Sequence, residues 1–117
     1  MAQLPDLQLL ALGDGERIEF WVERFETGEA SFRSVSGPGI VTLPALRLWI
    51  LGGDLAGRPA YWDIVTQTTL ARLIPLLPQA IAASRPIRIS RHGKPPDGRD
   101  TITVLAPQEP PSLSVLD

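Results

Sequence analysis

The sequence predicts a mainly β domain: a five-stranded, curved antiparallel sheet or small barrel with one main helix between the third and fourth strands. Apolar and polar residues alternate in five short runs, the period of a strand with one buried and one wet face. A sixth run, residues 68–83, instead repeats its apolar residues at helical spacing. Gly-, Pro- and Asp-rich clusters separate most of these runs.

Residues 1–12 mix Leu and Pro. Leu7, Leu9 and Ala11 alternate, which allows a short strand before the turn signal Gly13-Asp14-Gly15. The first clear strand is 17–25, with Ile18, Phe20 and Val22 on one side and Arg17, Glu19, Trp21 and Glu23 on the other. Thr27-Gly28-Glu29 is expected to turn the chain into a further run at 30–35. Gly37-Pro38-Gly39 breaks that run and Pro44 bounds the next. The second strand, 46–51, alternates Leu46, Leu48 and Ile50 with Arg47, Trp49 and Leu51. It ends at Gly52-Gly53-Asp54 and pairs as a hairpin with the third strand, 60–65.

Thr66, Gln67 and Thr68 supply the helix start, and Leu70, Leu73, Ile74, Leu77 and Ile81 its buried stripe. Pro75 and Pro78 predict a break after about Leu76 and a second helical turn at 78–83, because a proline inside a helix loses a hydrogen bond and clashes with the preceding turn. The fourth strand is 86–91, a loop covers 92–100, and the fifth strand is 101–105. The core is expected to gather Ile18, Phe20, Val22, Leu48, Ile50, Ile64, Leu70, Leu73, Ile74, Leu77, Ile87, Ile89, Ile102 and Val104. Residues 1–106 form one domain, and 107–117, with Pro110 and Pro111, read as a flexible tail.

Composition narrows the class. With 117 residues, 44% hydrophobic and 21% charged, the chain is long enough for one core and too apolar to be disordered. Cysteine is absent, so disulfides and thiolate metal sites are excluded. No apolar run approaches the roughly 20 residues that span a bilayer, and the start carries no basic segment of the signal-peptide kind. A cytoplasmic protein without a membrane partner is the expectation. The net charge of −2 argues against general polyanion binding, since phosphate affinity comes from Lys and Arg. Charge is nevertheless graded along the chain. Residues 14–29 carry six acids against Arg17 and Arg24, whereas residues 85–99 carry Arg85, Arg88, Arg91, Lys94 and Arg99 against Asp97. Ten of the eleven basic residues are arginine, the side chain that stacks and pairs bidentately.

Two groups of residues are candidates for binding. Trp21 and Trp49 lie on the outward face of the first two strands, with Arg47 beside Trp49, and either Tyr61 or Trp62 adds a third aromatic according to register. Such a face can stack unpaired bases, or it can close the ends of a small barrel and pack under the helix. Arg88, Arg91, His92, Lys94 and Arg99 form a basic strand and loop, suited to phosphates or to keeping a sheet edge soluble. No catalytic constellation competes. His92 is the only histidine and has only Ser90 near it in sequence. Asp97 and Asp100 flank a turn signature, and neither glycine cluster has the Lys-Ser/Thr of a phosphate loop. No enzyme activity, cofactor or metal is expected.

The order of runs at 17–25, 46–51, 60–65, 68–83, 86–91 and 101–105 resembles the OB-fold. The run 61–65, the Thr-capped Leu-rich helix and the basic strand after it are similar to small single-stranded DNA-binding proteins of that class. The resemblance covers residues 15–106, and the insert at 30–43 and the acidic first strand depart from it. It implies single-stranded nucleic acid, DNA above all, as partner, in replication, recombination or a mobile element. Trp21, Arg47, Trp49, Tyr61, Trp62, Arg88, Arg91, His92, Lys94 and Arg99 would be the contacting residues. The alternative is a protein-interaction or homo-oligomerisation module that uses the exposed Trp and Leu as an interface.

Overall fold

The computed structural model describes residues 3–33, 37, 39–57, 59–93 and 99–109. Its strands are β1 (Arg17–Arg33), β2 (Ile40–Gly53), β3 (Tyr61–Ile64), β4 (Ile87–His92) and β5 (Arg99–Val104). They form one antiparallel sheet in the order β3-β2-β1-β4-β5. The helical segment between β3 and β4 comprises α1 (Gln67–Leu73), a 3-10 turn at Ile74–Leu76 and α2 (Leu77–Ala82). The sheet is curved but unclosed. Of the two arrangements the alternation allows, the open sheet is the one formed.

Alternation sorts the sheet into two faces. Ile18, Phe20, Val22, Leu46, Leu48, Ile64, Ile87 and Ile89 are buried on one face against Leu70, Leu73, Leu77 and Ala80 of the helices. Ile50, Ile74, Ile102 and Val104 pack around them, half-buried. The prolines fall in the first turn of helical segments: Pro75 is the second residue of the 3-10 turn and Pro78 the second of α2, positions where a missing N–H is tolerated. Ile89 is 1% exposed at the centre of this cluster. Ile89→Ala is expected to cost about 2–5 kcal/mol, read as a lowered urea midpoint; an unchanged midpoint would contradict its core position.

β1 and β2 depart from the sequence expectation. Thr27-Gly28-Glu29 does not turn. β1 runs straight through it for 17 residues, pairing Thr27 with Leu46, Gly28 with Ala45 and Glu29 with Pro44. Of the run expected at 30–35, residues 30–33 are therefore the end of β1, and 34 and 35 lie outside the described residues. Pro44 does not bound β2 but lies inside it. Its carbonyl accepts from Gln67 Nε2 at 2.9 Å, so this side of the residue faces away from β1. The missing N–H would point the same way, past the end of β3, and costs no ladder bond. β1 and β2 consequently form a ribbon that projects beyond β3 and β4, and the molecule measures 53 × 31 × 27 Å.

Two bulges bend this ribbon where it meets the sheet. Trp21 pairs with Gly52, Val22 with Ile50 and Arg24 with Trp49, so Leu51 and then Glu23 are left over. The second bulge reverses the facing of β1. Arg24, which strict alternation would place with Val22 in the core, turns outward, and Phe25 takes the inward position.

Residues 3–12 wrap the β3 end of the sheet. Leu4 donates its N–H to Glu29 O and packs with Ala30 and Ala45 on the face away from the helices. Leu9 then bridges Asp63 in parallel along the outer edge of β3. Leu10 and Leu12 reach the main core on the other side. At the opposite end of the chain, Leu105 and Gln108 donate N–H bonds to Pro86 O and Ser84 O. The tail expected from residue 107 is thus anchored as far as Gln108, and residues 110–117 lie outside the described residues. No helix among the described residues is long and apolar enough to cross a membrane.

Candidate functional site

The face of the sheet opposite the helices carries a row of side chains from three adjacent strands. The register pairs Trp49 with Tyr61 and Arg47 with Asp63 across β2 and β3, and Arg24 with Trp49 across β1 and β2. Residues paired in this way share a face. The Trp49 and Tyr61 rings lie 4.9 Å apart at 56°. The Arg24 guanidinium stands 4.1 Å over the Trp49 ring and that of Arg47 4.0 Å over Tyr61. Each contact sets a cation against the negative face of an aromatic ring. Both rings are half-buried and Arg24 is exposed. Trp49 Nε1 is buried and has no hydrogen-bond partner among the described residues.

Register thus chooses between the two aromatics of β3. Tyr61 joins Trp49, whereas Trp62 pairs with Leu48 on the helix face and donates to Leu55 O at 3.4 Å. Trp21 is on the outward face but beyond the bulges, and its Nε1 donates to Gln108 O at 3.0 Å.

Arg47 faces outward as its alternation suggests, but it is not exposed there. It is 4% exposed, and Asp63 is fully buried. Nε donates to Asp63 Oδ1 at 2.7 Å and Nη2 to Oδ2 at 3.0 Å, a bidentate pair, and Nη2 also donates to Pro5 O at 2.6 Å. The hydrogen bond to Asp63 holds the Arg47 pKa above its ordinary value, against the opposing effect of burial. Asp63 Oδ2 further accepts the N–H of Gln8, and Tyr61 Oη donates to Asp6 O. Asp6 sits at φ 52°, a conformation its short polar side chain tolerates. The guanidinium of Arg47 therefore ties the N-terminal segment to the sheet and is spent internally instead of facing a ligand. The sequence carried one sign of this pair. Arg47 is the only charge in residues 40–53 and Asp63 the only one in 60–65.

The basic strand divides between the two faces. Arg88 points outward and pairs with Glu19, its Nη2 2.7 Å from Oε2, each side chain about one-third exposed. Arg91, three residues on, points to the helix side. Its Nη1 donates to Asp100 Oδ1 at 3.1 Å, and Thr69 Oγ1 donates to Asp100 Oδ2 at 2.8 Å. Arg91 and Arg99 line a cleft with Arg72 and Thr66, away from the aromatic row. His92 ends β4 and is exposed, and Asp14 Oδ1 accepts the N–H of Gly93 beside it. Lys94 and Asp97 lie outside the described residues. Among the described residues no three of His, Cys, Asp or Glu gather as a metal site would require.

The structure therefore brings together Arg47, Trp49 and Tyr61, adds Arg24, and leaves Trp21 and Arg88 further along the same face. Comparison of the chain with protein-family models, with curated proteins and with solved structures finds no match.

Proposed function

We propose that the outward face of β2 and β3 binds single-stranded nucleic acid, DNA being the expected form, as a non-enzymatic OB-like domain acting in the cytoplasm in replication, recombination or a mobile element. The observation that carries this reading is the Trp49–Tyr61 pair with Arg24 over it. An unpaired base stacks on such a ring whatever its sequence, and a guanidinium beside it meets the phosphate. Arg24 now covers the Trp49 face. A base entering there displaces it, and the freed guanidinium turns to the backbone of the strand. OB-folds use the face of the same two strands and the loops after the first and fourth. Here Arg88 lies further along that face, and by exchanging its partly exposed partner Glu19 for the backbone of the strand it becomes a second phosphate contact.

A second reading, a protein-interaction or oligomerisation module, draws on β2 itself. Ile40 is 74% exposed, and Val41 and Leu51 are also exposed. Glu23 and Glu26 beside Arg24 and the net charge of −2 also favour it.

Titration with labelled oligonucleotides decides between them. Binding is expected to quench tryptophan fluorescence. Trp49→Ala is expected to weaken it by about 1–3 kcal/mol at every salt concentration, since stacking releases few ions. Arg24→Gln with Arg88→Gln is expected to flatten the log–log salt dependence by about 1.4, from roughly 0.7 per phosphate contact. Double-stranded DNA, its bases already stacked, should bind more weakly. No quenching with any oligonucleotide at low salt would end the nucleic-acid reading. A self-associated species in size-exclusion chromatography would then support the module.

A further inference from the structure

The cleft on the helix side, between the start of α1 and the ends of β4 and β5, is a separate feature with a volume of about 330 Å³. That is within the range of small-ligand pockets, roughly 300–1,000 Å³. Three arginines line it, Arg72, Arg91 and Arg99, against one acid, Asp100. Both oxygens of Asp100 are engaged, Oδ1 by Arg91 and Oδ2 by Thr69. One arginine charge is therefore neutralised within the cleft. Arg72 and Arg99 have no carboxylate partner among the described residues and are both exposed.

Two further groups are unused. Arg91 Nε is buried and has no hydrogen-bond partner among the described residues, a costly omission for a charged group unless an acceptor arrives. Thr66 lines the cleft and makes no side-chain bond to the helix that it precedes. Among the described residues the cleft thus presents two positive charges without a carboxylate partner, on Arg72 and Arg99, and the hydroxyl of Thr66. Arginine's planar fork suits tetrahedral oxyanions.

We infer that this cleft binds a dianionic phosphoryl group, a phosphate monoester, through Arg72, Arg91 and Arg99. The charge of −2 on a monoester matches the surplus of the cleft. The group is either part of a free phosphorylated small molecule or the 5′ phosphate of a nucleic-acid strand. The inference does not rest on the aromatic face, which lies on the other side of the sheet.

The test is NMR titration of the full chain with inorganic phosphate, against sodium chloride at equal ionic strength, following the Arg91 Nε–H resonance. Phosphate is expected to move that signal with an affinity near the millimolar range, about −4 kcal/mol. Arg72→Gln and Arg99→Gln, both at exposed positions, are each expected to weaken binding by about tenfold, as loss of a charge-assisted hydrogen bond does, with the urea midpoint unchanged. Trp49→Ala is expected to leave phosphate binding as it is, which separates this site from the aromatic face. A nucleoside 5′-monophosphate bound better than the nucleoside identifies a free ligand. A 5′-phosphorylated oligonucleotide bound better than its 5′-hydroxyl form, with no such preference among nucleosides, identifies the strand end. No movement of the Arg91 signal, equal movement with chloride, or unaltered binding in the Arg72→Gln, Arg99→Gln double variant would overturn the assignment.

Discussion

Asp63→Ala is expected to lower the unfolding free energy by about 3–5 kcal/mol, the cost of leaving one member of a buried ion pair without its partner. Domains of this kind are stable by roughly 5–15 kcal/mol in total, so the variant should show a large loss of urea midpoint and partial unfolding at moderate temperature. The size follows from what Asp63 holds. Its carboxylate takes two bonds from Arg47 and one from the N–H of Gln8, all lost in the variant, whereas the backbone bonds of residue 63 to Gln8 and Leu10 remain. Removing the carboxylate strands the Arg47 guanidinium beneath the N-terminal segment and loosens that segment's hold on the edge of β3. The double variant Arg47→Met, Asp63→Leu removes both charges and is expected to recover much of the loss, because apolar replacements of buried pairs are often close to neutral. Recovery should stop short of wild type, since Pro5 O and the Gln8 N–H still lose their partners. An Asp63→Ala midpoint equivalent to less than about 1 kcal/mol of destabilisation would show the pair to be solvated, as exposed pairs are.

Gly53→Ala is expected to cost about 3 kcal/mol, from strain at positive φ of roughly 1–2 kcal/mol and overpacking of roughly 1–3 kcal/mol. Gly53 closes β2 at φ 97°, opposite Phe20. A Cβ there would stand 2.5 Å from Glu19 O and 2.7 Å from Phe20 Cα, both backbone atoms that cannot move aside singly. The close approach has a structural use. It lets Asp54 donate its N–H to Glu19 O and accept the N–H of Glu19 on Oδ2, both at 2.8 Å, which ties the end of β2 to β1 beside the bulges. Gly57→Ala is the control. Its φ is 121° but no atom lies within 4 Å of the added carbon, so only the conformational strain, about 1–2 kcal/mol, remains. Equal midpoints for the two variants would show that the crowding at Gly53 relaxes without cost.

Much of the fold was legible in the residues because it depends on local period. Ile18, Phe20 and Val22, Leu46 and Leu48, and Ile87 and Ile89 alternate, and each set is buried on the face their spacing implies. The helix between β3 and β4 was legible in the same way, although the break expected after Leu76 is instead a 3-10 turn at Ile74–Leu76 that leads straight into α2. The turn expected at Thr27-Gly28-Glu29 was not formed, since pairing with β2 from Phe20 to Arg33 satisfies that backbone better than an isolated hairpin would. Local turn preference yields to a continuous ladder.

The candidate site was legible only in part. Trp49 was expected to face outward and does so, half-buried. Whether Tyr61 or Trp62 joined it hung on the register of a hairpin whose loop does not specify one. Arg24 was out of reach of the pattern, because the Glu23 bulge reverses the alternation that sequence reading assumes. Arg47 shows the limit most directly. Alone it looked like a surface cation on an aromatic face, and only the strand opposite supplies Asp63 and only the N-terminal segment buries them both.

The amino-acid sequence by itself determined the order of the five strands and the helix, the apolar face of most of them, and that cysteine chemistry plays no part, because these follow from side-chain period, proline geometry and composition. The tertiary structure decided which charges are spent on one another, which aromatics meet, and that Arg88 and Arg91 serve opposite faces of one strand in different surroundings. Those outcomes depend on register, bulges and the path of residues 3–12, which are settled by contacts between residues far apart in the chain and leave no period in the sequence to read.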